Sequence, residues 1–190
     1  MEFILEIKDN LSDDMCKKII DRFEKDDRKA KGRTMGGDAL ENYKKSTDLC
    51  VSLFDDWKDV DTYFYERLKK GLGVYKKYLD NMIGDYTHIF DGVKDSGYQI
   101  QRTTKGGYYS WHDDHNSREG RIFTYIWYLN TLDPHVDGGS TAFRCGKIIR
   151  PEQGKLVIFP ATWTYIHCGT PVVSDKTKYI CTGWILAPTT

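Results

Sequence analysis

The stretch Ser110–Asn116, SWHDDHN, sets two histidines and two aspartates side by side. All four side chains can bind a metal or move a proton. On an extended strand, residues i and i+2 face the same side. His112 and Asp114 can therefore offer one imidazole nitrogen and one carboxylate oxygen to a single ion, while Asp113 points away and His115 is out of phase. Two ligands make a poor site, and the third must come from elsewhere. The other histidines are His88, His135 and His167. His167 ends the apolar stretch KLVIFPATWTYI and precedes the turn residues Gly169 and Pro171, so it can project from the end of a core strand into a cavity. Two imidazoles and one carboxylate form the facial triad of non-haem iron oxygenases. Zinc hydrolases use the same ligand types, so residue type leaves both metals open. A polar surface turn is the commoner fate of an isolated His-x-Asp.

Such ligands need rigid elements behind them. Glu2–Ile7 reads as a short strand. Ser12 is placed to cap a helix whose first turn carries Asp13 and Asp14, with Met15, Ile19 and Phe23 on one face. Lys25–Tyr43 is polar, with Gly32, Gly36 and Gly37, and reads as a loop; Asp48–Leu53 reads as a strand. From about Asp59 to Met82 the apolar spacing Phe64, Leu68, Leu72, Tyr75, Leu79, Met82 predicts a second helix, weakened by Gly71 and Gly73. After about Tyr86 the texture becomes β-rich. Strands are expected over Tyr98–Thr104, Arg121–Asn130, Lys155–Phe159 and Lys178–Leu186, separated by Gly- and Pro-bearing turns. In the second of these, Ile122, Thr124, Ile126 and Tyr128 share one face; Phe123, Tyr125, Trp127 and Leu129 share the other. Two helices followed by many short strands argue for an α+β chain with a sandwich or barrel. With no repeat and no linker, residues 1–190 read as one domain.

Composition narrows the function classes. The 28 Lys+Arg balance the 28 Asp+Glu, so there is no general attraction to nucleic acid or anionic membrane. The run from Arg28 to Arg33 is best read as a solvated loop. Thirteen Tyr and five Trp suit β-structure around a pocketed core. The five cysteines form no CxxC pair, the N-terminus lacks the pattern of a signal peptide, and no stretch approaches the roughly 18 apolar residues of a span. These features predict a reducing, cytoplasmic setting with no membrane partner.

Four ordered pieces carry a family resemblance: QRTTKGGYYSWHDD, IWYLNTLDPHVDGGSTAF, PEQGKLVIFPATWTYIHCGTPV and KYICTGWIL. Together they resemble the 2-oxoglutarate- and iron(II)-dependent dioxygenases, most closely the prolyl-4-hydroxylase branch, over roughly Tyr98 to Leu186. The resemblance implies a double-stranded β-helix, or jelly roll, over about residues 91–190, braced by N-terminal helices within about 1–90. It matches His112, Asp114 and His167 to the iron ligands. It matches Lys178 to the basic residue that pairs with the distal carboxylate of 2-oxoglutarate, and a dicarboxylate in an apolar barrel does need a fixed cation. Tyr128, Thr141 and Thr124 become candidates for the same cosubstrate pocket. Iron(II), 2-oxoglutarate and O2 are the implied cofactors, with ascorbate as a candidate auxiliary.

Two departures stand out. The family's first-strand tyrosine is replaced by Thr103 or Arg102, so one cosubstrate hydrogen bond is missing or supplied elsewhere. The connection after His167 carries one extra residue and a competing Lys176; strand parity favours Lys178. The implied activity is hydroxylation of a C–H bond, with release of succinate and CO2. A prolyl residue in a peptide or protein is the leading substrate; a free amino acid or other small molecule is the alternative. The Lys25–Tyr43 segment is then a candidate substrate loop, and Trp111, Trp127, Trp163 and Trp184 are candidates to dry the pocket, half or more of them serving as core aromatics. Outside this chemistry stand a cupin-like metal-binding or sensor domain without turnover and a zinc hydrolase. The latter wants a glutamate base that this segment lacks.

Overall fold

The computed structural model describes residues 2–34, 42–85 and 87–188. Of the Lys25–Tyr43 segment read as a loop, Lys25 closes a helix, Ala30–Lys31 form a short strand paired with Thr47–Asp48, and residues 35–41 lie outside the described residues. Twelve strands and two long helices follow in the order β1 (Leu5–Ile7), α1 (Asp13–Lys25), β2 (Ala30–Lys31), β3 (Thr47–Cys50), α2 (Lys58–Ile83), β4 (Lys94–Asp95), β5 (Gln99–Thr103), β6 (Tyr109–His112), β7 (Arg121–Tyr128), β8 (Thr141–Phe143), β9 (Ile148–Ile149), β10 (Leu156–Pro160), β11 (His167–Gly169) and β12 (Lys178–Leu186). The strands form two antiparallel sheets. The larger runs β1-β10-β7-β12-β5-β3-β2, with β4 beside β12; the smaller runs β6-β11-β8-β9.

The alternation read along β7 is what divides the core. Phe123, Tyr125, Trp127 and Leu129 pack with Phe64, Leu68, Tyr75 and Leu79 of α2 and with Cys16, Ile19 and Phe23 of α1. Ile126 and Tyr128 face the other way and join Val157, Phe159 and Phe143 between the sheets. One strand thus serves two cores, and its inward face is left to line a site. The helix side is aromatic: Phe64 lies 5.1 Å from Trp127 and 5.3 Å from Tyr98, centroid to centroid, a spacing at which such pairs add to simple burial. Trp127 Nε1 donates to Asn10 Oδ1 at 2.8 Å, so its indole N–H is satisfied inside the core.

The helix signals act as expected. The Ser12 hydroxyl accepts from Met15 N, and Asp13 and Asp14 occupy the first turn of α1. The glycine at 71 has a packing reason. A Cβ there would sit 2.3 Å from Leu156 Cδ2, so α2 crosses β10 closely enough that any larger residue at 71 must displace the Leu156 side chain. Gly73 faces open space.

Differences from the sequence reading are local. The strand expected over Asp48–Leu53 stops at Cys50, and 3-10 turns follow. There the Ser52 hydroxyl takes the Tyr98 N–H at 2.8 Å, replacing a ladder partner. The two- and three-residue strands β2, β4, β8, β9 and β11 are too short to show a period. No described helix is long and apolar enough to cross a membrane.

Candidate active site

The site is built where the two sheets face each other. β6 pairs with β11, and the register sets His112 opposite His167. Their rings lie 4.3 Å apart, centroid to centroid. Each Nδ1 faces a backbone carbonyl two residues before it in the chain: His112 to Ser110 O at 2.7 Å and His167 to Tyr165 O at 3.0 Å. A carbonyl only accepts, so each Nδ1 carries the proton and each Nε2 presents a lone pair. Asp114 lies two residues past the end of β6 and turns inward. Its Oδ1 is 3.9 Å from His112 Nε2 and its Oδ2 is 3.6 Å from His167 Nε2. Ligand atoms of the three residues lie within 4.8 Å of one another, and no other such group of His, Cys, Asp or Glu occurs among the described residues.

The electrostatics suit a cation. Burial, with His167 close by, pushes His112 down to about 4, so its imidazole is neutral and ligating at neutral pH. Burial opposes the charge on Asp114, but His167, His112 and the Thr124 hydroxyl together hold it below the usual carboxylate value. Thr124 Oγ1 donates to Asp114 Oδ2 at 2.7 Å. One carboxylate and two oriented imidazoles, buried and convergent, fit a divalent metal with an outer hydrogen bond that aims the carboxylate. Asp113 and His115 are exposed, and Asp113 Oδ1 accepts from His115 N. Of the four residues that opened the question, His112 and Asp114 point to the common centre.

A cavity of about 290 Å³ runs from this cluster along β12, past Ile180, to Lys178. Lys178 is 5 % exposed, and no described residue gives it a hydrogen bond or an ion pair. Its ammonium lies 5.6 Å from the Tyr128 ring centroid. Burial pushes it down to about 8, with Cys168 pulling weakly the other way. A buried cation without an anion is costly, and the cavity is where an anion can reach it. Gly139, at φ +73°, lets the backbone lie along this side chain: a Cβ there would meet Lys178 Cδ at 3.4 Å. Lys176 is different. It is largely exposed and bonded to Asp137 Oδ2 at 2.8 Å.

Residues 98–186 match the family model described as the 2OG-Fe(II) oxygenase superfamily. No curated protein matches the chain in sequence. Among solved structures it is similar to the viral collagen prolyl hydroxylase vCPH from Paramecium bursaria Chlorella virus-1 in its 2OG complex (TM-score 0.70, 21% identity, covering 99% of this chain and 97% of that one). It is also similar to a prolyl hydroxylase from Trichoplax adhaerens in complex with a hypoxia inducible factor oxygen degradation domain peptide fragment (TM-score 0.79, 15% identity, 98% and 84%). A Pseudomonas putida prolyl-4-hydroxylase is a third (TM-score 0.69, 16% identity, 98% and 94%). At these identities the likeness is one of fold.

The other expected pocket residues divide. Thr141 lines the cavity. Tyr128 is fully buried behind it, and its hydroxyl donates to Thr141 Oγ1 at 2.6 Å. Thr141 therefore keeps its own O–H for an acceptor in the cavity. Thr124 also lines the cavity, but its hydroxyl is given to Asp114 rather than to a cosubstrate. Thr103 pairs with Lys178 across β5 and β12 and lines the cavity, so the smaller side chain replacing the family's tyrosine leaves room beside the lysine.

Sequence reasoning missed Arg121 as a site residue. Its guanidinium carbon lies 3.4 Å from the Trp184 ring centroid, and both residues line the cavity. Nothing local signals this pair; the register of β7 and β12 creates it. Of the four tryptophans considered as pocket walls, Trp184 alone lines this cavity. Trp127 packs beneath α2, Trp163 is 69 % exposed, and Trp111 lies under Arg144, whose guanidinium carbon is 4.0 Å from its centroid.

Proposed function

We propose that this protein is a 2OG-Fe(II) oxygenase that hydroxylates a prolyl residue in a peptide or protein, with His112, Asp114 and His167 holding Fe(II) and Lys178 holding the distal carboxylate of 2-oxoglutarate. The observation that carries the assignment is Lys178: a buried ammonium without an anion, in the same cavity as a convergent His-Asp-His cluster. A non-catalytic metal-binding domain has no use for that cation. The two sheets read as the walls of a double-stranded β-helix, with α1 and α2 bracing the larger wall, and residues 1–190 as a single domain. Five free cysteines are in keeping with a reducing, cytoplasmic location.

When bound, the metal and 2-oxoglutarate supply the oxidative chemistry: O2 gives one oxygen atom to the substrate C–H bond and one to succinate, and CO2 leaves. The chain's own residues bind and orient. The Nε2 atoms of His112 and His167 and the Asp114 carboxylate present three donors on one side, leaving the cavity side open. Thr124 fixes the carboxylate. Lys178 neutralises the far end of the dicarboxylate, and Thr141, oriented by Tyr128, offers a second donor there. Trp184 pairs with Thr124 across β12 and β7, which places the Arg121–Trp184 wall next to the ligand that Thr124 holds. A flat indole backed by a guanidinium is a surface on which a pyrrolidine ring can lie, and it keeps water from the reacting carbon. The prolyl substrate draws further support from the three similar structures, all prolyl hydroxylases by name.

The test is incubation with Fe(II), 2-oxoglutarate and ascorbate against proline-containing peptides and, separately, free L-proline. The expected result is a gain of one oxygen atom on a peptidyl proline, matched by succinate. Oxidation of free proline alone would move the substrate to the small-molecule class. Succinate with no oxidised proline in either set would reject the prolyl assignment.

A further inference from the structure

We infer that Tyr109 is a positioning residue for His112, and that the segment Tyr43–Ser46 is what holds Tyr109 in place. The inference rests on the metal-binding reading of His112, Asp114 and His167.

The Tyr109 ring lies nearly flat on the His112 imidazole, with centroids 3.6 Å apart and planes 19° from parallel. His167 approaches the same imidazole at 4.3 Å but is tilted by 54°. The Nδ1 bond to Ser110 anchors one edge of the His112 ring. It does not by itself choose the plane in which Nε2 swings. The stacked phenol does, because any rotation of the imidazole out of that plane drives it into Tyr109.

Among the described residues the Tyr109 hydroxyl has no hydrogen-bond partner, and packing positions the ring. That packing comes from a remote part of the chain. Tyr43 meets the Tyr109 ring edge-on at 5.8 Å, and Lys44 Nζ lies 5.1 Å from its centroid. The ammonium cannot drift: it is bonded to Asp48 Oδ2 at 2.7 Å with both side chains buried, and the Ser46 hydroxyl donates to the other oxygen of Asp48 at 2.8 Å. The backbones pair as well. Lys44 bridges Tyr109, Lys45 N donates to Tyr108 O at 2.9 Å, and Ser110 N donates to Tyr43 O at 2.8 Å. The Tyr43 hydroxyl donates to Trp111 O at 3.0 Å. β6 is the edge strand of the smaller sheet, and these bonds close the edge that carries His112. A stretch some sixty-five residues earlier in the chain thus fixes the plane of a ligand through Tyr109.

The experiment is Co(II) binding, followed by calorimetry and by the visible ligand-field spectrum. Wild type and His112→Ala establish the site. Tyr109→Leu is expected to bind Co(II) about tenfold more weakly, as loss of a residue that orients a metal ligand does, and with altered band positions. Tyr109→Phe is expected to restore both. Tyr43→Ala, a change outside the three ligands, is expected to weaken binding a few-fold and shift the bands in the same direction. Wild-type affinity and bands in both Tyr109→Leu and Tyr43→Ala would overturn the inference. So would equal weakening by Tyr109→Phe and Tyr109→Leu, which would assign the effect to the hydroxyl. If the wild type binds no Co(II), the metal reading itself fails, and this inference falls with it.

Discussion

Thr124 Oγ1 donates a 2.7 Å hydrogen bond to Asp114 Oδ2, and both residues are buried. The bond leaves Oδ1 free beside His112 and sets the rotation of the carboxylate. Thr124→Val keeps the shape of the side chain and removes the donor. We expect about tenfold weaker Fe(II) or Co(II) binding with little change in the KM for 2-oxoglutarate. Metal titration of the two proteins side by side checks it. Unchanged metal affinity with a raised KM would return Thr124 to the cosubstrate pocket, the role its strand face first suggested.

The two lysines of the β11–β12 region separate by substitution. Lys178→Met should raise the KM for 2-oxoglutarate by at least about tenfold, the loss expected when a buried charge-assisted bond goes, and leave metal affinity intact. Lys176→Ala removes only a largely exposed partner of Asp137 and should leave the KM unchanged. Initial-rate kinetics with varied 2-oxoglutarate decides; equal effects would contradict the choice of Lys178.

The same lysine gives a pH dependence. Burial lowers it from 10.5 to about 8. In the ligand-free protein the charged form is therefore penalised, and between about pH 8 and 10.5 the unfolded chain binds more protons than the folded one. Stability of the ligand-free protein should rise with pH across that window by this contribution. Binding of 2-oxoglutarate needs the charged form, so affinity should fall as pH rises through about 8. Calorimetric titration at several pH values checks the second effect, and Lys178→Met should flatten it.

Gly71 and Gly73 lie two residues apart in α2 and should respond in opposite directions. Gly71→Ala must push Leu156 aside and should cost about 1–3 kcal/mol as an overpacking substitution. Gly73→Ala meets nothing within 4 Å and should gain up to about 1 kcal/mol through helix propensity. Denaturant unfolding of both variants measures the contrast.

How much of this was legible follows from the range of each interaction. The phase of His112 and Asp114 is local and could be read directly. The alternation along β7 gave both its core face and its cavity face. The step-four and step-three spacing of α2 placed that helix to within a residue at each end. His167 needed the ordered family pieces, because only the pairing of β6 with β11 sets it opposite His112. Facing inward also does not say what a hydroxyl will meet. Thr124 and Tyr128 share the face that was read for them, yet one is spent on Asp114 and the other on Thr141. The Arg121–Trp184 wall and the Tyr43–Tyr109–His112 stack join strands and segments far apart in the chain, and no local pattern encodes them. The fate of Gly71 was hidden for the same reason: propensity counts it as a weak point, and its partner Leu156 lies on another element.

The most direct test of the account is anaerobic titration of the Fe(II)-loaded protein with 2-oxoglutarate, watching for the visible metal-to-ligand charge-transfer band. The account predicts that the band appears, is lost in Asp114→Ala, and in Lys178→Met requires much more 2-oxoglutarate. Tight iron binding with no band at saturating 2-oxoglutarate, or a titration indifferent to Lys178, would contradict the assignment of this cavity to metal and cosubstrate together.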